Sequence, residues 1–138
     1  MKNFCISLLV IFFCIFAAGC SKTDSALNGT WISEIGNTEL KLNNGNFEHS
    51  EDGVPFMKGT YTTENSNITL TITHYYSDVF ESLPDSVWYS RSDIKKIIES
   101  RGRDISESEL DEIFTSKTDK YSVSGNKLVY NMETFKRK

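Results

Sequence analysis

Few side chains in this chain belong to the types that do chemistry at neutral pH. Two histidines and three cysteines stand among 138 residues. His49 sits in Glu48-His49-Ser50-Glu51-Asp52, a run with the ligand types of a divalent cation. A metal site needs donors that converge, whereas a local acidic cluster in a turn is ordinarily solvated, so no metal is expected. His74 ends the alternation Ile68-Thr-Leu70-Thr-Ile72-Thr-His74. A strand with that spacing puts His74 on the inward face with Ile68, Leu70 and Ile72, either to orient a ligand or to bond solvent or a neighbour. No nucleophile elbow, phosphate-cradling glycine loop or paired-cysteine zinc pattern occurs. General acid–base catalysis has little to draw on. No catalytic, cofactor-binding or metal-ligating residue is therefore assigned, and the chain reads as a non-enzyme without a cofactor.

The cysteine with a chemical context is Cys20. It closes Phe16-Ala17-Ala18-Gly19-Cys20, at the end of an apolar stretch behind Lys2 that only Ser7 interrupts. The stretch is shorter than the roughly 20 residues that span a bilayer. It has the form of a secretory signal core with small residues before the cut. This N-terminus resembles the export signal and lipobox of bacterial lipoproteins, with Ala17 where Leu is commoner. The resemblance implies a signal peptide over residues 1–19 and a lipid-anchored Cys20 at the new N-terminus. It also places the protein in the cell envelope, where Ser21 rather than Asp leans towards the outer membrane. Cleavage would remove Cys5 and Cys14, leaving a disulfide-free domain that packing alone must stabilise. The net charge of −4 argues against nucleic acid as a partner.

The elements that would position these groups are mostly strands. Residues 20–26 read as a polar, lipidated tether, and residues 27–138 as one domain. Trp31 to Ile35 forms a first strand ended by Gly36-Asn37. Asn43-Asn-Gly-Asn46 turns Leu40 and Leu42 back into Phe47, because Asn-Gly accepts the positive φ of a tight hairpin. Gly59-Thr-Tyr-Thr-Thr opens a strand that turns at residues 64–67, and Ser124-Gly-Asn126 turns another. Between them, Ile94, Ile97, Ile98 and then Leu110, Ile113, Phe114 recur at helical spacing. Ser92 is the expected cap of the first helix, Gly102 its stop, and Ser106-Glu-Ser-Glu109 the capping box of the second. The insertion covers about residues 92–116.

Leu27-Asn-Gly29-Thr-Trp31, Gly59-Thr-Tyr61 and Ser124-Gly-Asn-Lys-Leu128 resemble the corresponding motifs of lipocalins and bacterial lipocalin-like lipoproteins. The resemblance implies a mainly β fold. It would be a small antiparallel lipocalin-like barrel of about eight strands, with the two-helix insertion between the later strands. It implies a closed end built by Gly29 and Trp31, with Arg137 stacked on the indole; by composition alone Arg137 equally fits a frayed basic tail. It also implies a small or apolar ligand inside. The alternative is a barrel filled by its own side chains that serves as a protein-interaction module, such as an envelope assembly factor or hydrolase inhibitor. Tyr75, Tyr76, Phe80, Trp88 and Tyr89 precede the helices. They either line an opening under a helical lid, with His74, Tyr76 and Trp88 as ligand contacts, or pack the helices onto the barrel.

Overall fold

The computed structural model describes residues 22–77 and 87–138, so Cys20, Ser21 and Phe80 lie outside the described residues. Nine strands follow one another: β1 Gly29–Ser33, β2 Thr38–Asn43, β3 Asn46–Glu51, β4 Val54–Glu64, β5 Asn67–Tyr76, β6 Trp88–Ser90, β7 Ser116–Ser124, β8 Lys127–Tyr130 and β9 Glu133–Arg137. Helices α1 (Arg91–Ser100) and α2 (Glu107–Ile113) stand between β6 and β7, and a 3-10 turn, Ser25–Leu27, precedes β1. Eight of the strands close an antiparallel barrel: β1 to β5 meander, β5 pairs β7, and β9 returns to β1. Closure leaves the ring no free edge. β6 lies outside it. The first half of β5, from Asn67 to Thr71, pairs β7, and its second half, His74 to Tyr76, pairs β6.

Tight turns set the register. Asn44, Asp52, Asn65, Ser66, Asn131 and Met132 all take positive φ, between 47° and 62°. These are the twisted two-residue turns that match the twist of paired strands. The pair Asn131-Met132 breaks what the sequence reads as one strand from Leu128 to Met132, and makes a hairpin of β8 and β9. Strand β1 begins at Gly29, earlier than expected, and ends at Ser33, whose hydroxyl receives the Ile35 and Gly36 amides and folds the loop. β4 begins at Val54, directly after the Asp52-Gly53 turn.

Inward residues of the ring form one core: Leu27, Trp31, Leu40, Leu42, Phe47, Tyr61, Ile68, Leu70, Leu128 and Phe135 are all nearly inaccessible. A second, smaller core joins Tyr89 to Ile94 and Leu110, with Ile97, Ile98, Ile105 and Phe114 around it. The two short helices gain stability from this packing rather than from propensity. Ser90, two residues before the expected Ser92, caps α1, in a reciprocal box with Asp93. The Ser106–Glu109 box caps α2 as read from the sequence. Arg91 clamps the pair from outside, reaching Glu107 at 2.8 Å and Asp111 at 2.6 Å. Arg91 and Lys95 together hold the Glu107 carboxyl down to about 2.

One end of the barrel is sealed. The Trp31 indole is wholly buried and donates to the Leu27 carbonyl at 2.7 Å. Arg137 lies 4.3 Å above the ring and donates to the carbonyls of Asn28 (2.5 Å) and Ala26 (2.8 Å). The cation gains from the ring face and ties the incoming chain across the barrel end. Gly29, beneath it, holds φ at +144°, and a Cβ there would stand 2.8 Å from Arg137 Nη1. Residues 22–26 are therefore not a free tether. The Thr63 amide bonds the Lys22 carbonyl at 2.8 Å, and the Tyr121 hydroxyl donates to Asp24 at 3.0 Å.

Candidate functional site

The opposite end stays open onto a cavity of about 260 Å³. Leu40, Phe47, Met57, Leu70, Ile72 and Phe135 make its apolar wall, and His49, Glu51, Lys117, Tyr130 and Glu133 its polar part. Strand alternation explains the wall, because Leu40 and Leu42, Ile68 and Leu70, and Phe47 and His49 are spaced two apart on their strands. His49 thus points inward instead of sitting in a solvated acidic turn. Its register partners are Leu40 on β2 and Met57 on β4.

The polar groups in this wall are unevenly satisfied. His49 Nδ1 is buried without a hydrogen bond, and Nε2 is 3.8 Å from the Glu51 carboxylate. Burial pushes the imidazole below its ordinary value, against the opposing pull of Glu51 and Glu133, so the ring is neutral at pH 7. Its edge meets Phe56 at 5.6 Å between centroids. Tyr130 is pushed up to about 12, first by burial and then by the Asp119 carboxylate. Lys117 Nζ lies 3.4 Å from Asp119 Oδ2, an ion pair without hydrogen-bond geometry. Glu133 accepts from the Ser33 hydroxyl. A buried polar atom without a partner costs folding energy. His49 Nδ1 is a buried atom of this wall that makes no hydrogen bond among the described residues.

His74 faces the other way, contrary to the sequence expectation. Lys58 pairs with His74 and Gly59 with Ile72, so Thr73 is an extra residue and the alternation reverses after it. The bulge sits where strands β4 and β5 approach closely: a Cβ on Gly59 would stand 1.9 Å from the Thr71 carbonyl oxygen. His74 therefore lies in a shallow outer depression with Lys58, Thr60 and Glu48, and its Nδ1 is 2.9 Å from the Thr73 hydroxyl. Tyr76 and Trp88 stack edge to face at 5.2 Å beside it, and Lys58 lies 4.4 Å over the Trp88 ring. None of His74, Tyr76 and Trp88 lines the cavity.

The other aromatics pack the insertion. Tyr75 meets Phe114 at 5.4 Å and Phe56 at 6.3 Å, and its hydroxyl donates to the Ile113 carbonyl. A continuous run of rings thus links His49 at the chamber wall to helix α2. Among the described residues no group of three His, Cys, Asp or Glu side chains is placed to hold a metal. What this arrangement can do is enclose an apolar body of modest size and offer it a few polar groups. The resemblance had placed Gly29, Trp31 and Arg137 at the closed end, where they meet. Of the chamber wall, Leu70 and Ile72 were read as inward from the alternation of β5, whereas His49 was missed, although its two-residue spacing from Phe47 was the available signal. Fold and site together define a closed antiparallel β-barrel with a chamber open at one end. Comparison with protein-family models, characterised proteins and solved structures found no significant match.

Proposed function

We propose that this protein is an envelope lipoprotein, lipidated at Cys20, whose lipocalin-like barrel binds a small apolar ligand. The observation that carries the binding reading is the chamber of about 260 Å³, sealed at the Trp31 end and walled by six apolar side chains, with the buried Nδ1 of His49 free of hydrogen bonds among them. A volume near the lower end of ordinary ligand pockets fits a molecule of roughly a dozen heavy atoms. His49 and His74 stand on opposite faces of the barrel wall, which supports binding over acid–base catalysis. Native mass spectrometry of the purified protein tests this. A co-purifying small molecule, displaced by 1-aminoanthracene, is expected; a chain that carries nothing and binds no apolar probe would count against it. The anchor has its own test: Cys20→Ala should abolish lipid labelling in cells, and continued labelling would sink it.

A second reading has an observation of its own. Ile35 is 87% exposed and Met132 99% exposed. Their turns lie side by side at the open end, joined by the Glu34 amide bonding the Thr134 carbonyl at 2.9 Å. Two bare apolar tips beside the mouth favour a protein partner docking there. Loss of a stoichiometric partner in Ile35→Ser/Met132→Ser, with probe binding intact, would favour this reading over the first.

A further inference from the structure

The two ends of the barrel differ in charge as well as in closure. Lys22, Lys120 and Lys127 are exposed at or beside the sealed end, and none of them closes an ion pair among the described residues, although Lys127 helps Lys136 hold the Glu34 carboxyl below its ordinary value. Arg137 adds a fourth cation whose hydrogen bonds go to carbonyls, not carboxylates. The acids at this end are Asp24 and Glu64, and Asp24 is engaged by the Ala26 amide and the Tyr121 hydroxyl. The open end carries Glu34, Glu51, Asp52 and Glu133; Lys136 pairs Glu34, and Lys117 pairs Asp119. The molecule is thus basic where it is sealed and acidic where it opens.

The chain enters at the sealed end. Thr63 fixes the Lys22 carbonyl through both its amide (2.8 Å) and its hydroxyl (3.2 Å). Two residues of extended chain reach about 7 Å, so an anchor on Cys20 holds this end of the barrel near the headgroups. That reach lies within a Debye length of about 8 Å at physiological salt, where exposed lysines feel an anionic surface.

We infer that the sealed end of the barrel docks on anionic lipid headgroups through Lys22, Lys120 and Lys127, and that the chamber mouth points away from the anchoring membrane. This rests on the lipid-anchored reading above. The test uses the lipidated protein in phosphatidylethanolamine/phosphatidylglycerol vesicles, with a nitroxide on Asn126→Cys at the sealed end or on Met132→Cys at the mouth. A nickel chelate tethered to headgroups should relax the Asn126→Cys label several-fold more than the Met132→Cys label. The difference should shrink in Lys22→Glu/Lys127→Glu and in pure phosphatidylcholine. Equal relaxation of the two labels, or stronger relaxation at the mouth, would overturn the orientation. A difference unchanged in both the double variant and phosphatidylcholine would overturn the role of the lysines. Mass spectrometry and flotation of the same preparation come first: a chain without the lipid adduct that stays off vesicles fails the anchored reading itself, before any label is read.

Discussion

At the scale of single residues, the sealed end depends on a three-way fit. Gly29 leaves room for the Arg137 guanidinium, the guanidinium covers Trp31, and its two hydrogen bonds hold the entering strand. Arg137→Ala should cost about 1–3 kcal/mol in urea unfolding, from the lost cation–π contact and the two carbonyls released. Gly29→Ala should cost a similar amount, but for two separable reasons: a positive φ, and a clash with Arg137. In an Arg137→Ala background the clash term vanishes and the φ term stays, so the double variant should be less destabilised than the sum of the singles. Strict additivity would mean the clash is relieved some other way. The pH dependence belongs at this scale too. Burial lowers the affinity of His49 for a proton in the folded state relative to 6.5 unfolded. The unfolded chain then binds more protons, so stability falls as pH drops below about 6.5. Burial and Lys58 lower His74 in the same direction. Asn or Gln at position 49 should flatten the stability profile between pH 7 and 5, with a smaller effect at position 74. An unchanged slope in both variants would show the loss of stability lies elsewhere. Arg137 over Trp31 was reached only through the lipocalin resemblance of the Gly29-Thr-Trp31 start, since composition alone left Arg137 open to a frayed tail. His74 was misread because one inserted residue at Thr73 flips every later side chain, and periodicity cannot see a bulge.

At the scale of elements, the Asn44-Gly45 hairpin was read correctly, and Asn131-Met132 was missed because Met is a poor advertisement for a residue with φ of 62°. Helix starts followed their capping chemistry, though Ser90 rather than Ser92 took the first cap, since only Ser90 has an acidic residue three positions on to return its bond. The helices have a core of their own, joined to the barrel through Tyr75, Phe114 and Phe56. That division predicts separate opening. Leu110→Ala, which empties the centre of the second core, should accelerate amide exchange in α1 and α2 by more than tenfold and leave β1, β2 and β9 within about twofold. Equal acceleration in the barrel would show that helices and ring unfold together. Arg91→Ala removes exposed ion pairs, so its effect should stay below about 1 kcal/mol and shrink further in 0.5 M salt. A large, salt-independent loss would place Arg91 in the packing instead.

At the scale of the whole molecule, neither closure of the ring nor the empty space within it can be read from residue order. Both follow from strand tilt and register, and from whether side chains fill the taper. Trp31, Leu42, Tyr61 and Leu128 fill the sealed half, whereas Ile72, Met57 and Thr115 leave the other half hollow. A binding barrel and a merely underfilled one respond differently to having that space closed. Ile72→Trp adds bulk to the chamber wall beside Gly59, with β4 between it and His49 on β3. Natural binding sites give up packing that stability alone would favour. The filled variant should therefore hold its thermal midpoint within a few degrees or exceed it, while binding of 1-aminoanthracene falls by at least tenfold. Retained probe binding in a folded Ile72→Trp protein would place the probe outside the chamber and remove the ground for a ligand inside the barrel. A variant that loses both fold and binding is replaced by Met57→Phe, a smaller filling in the same chamber, for which the same two readouts apply.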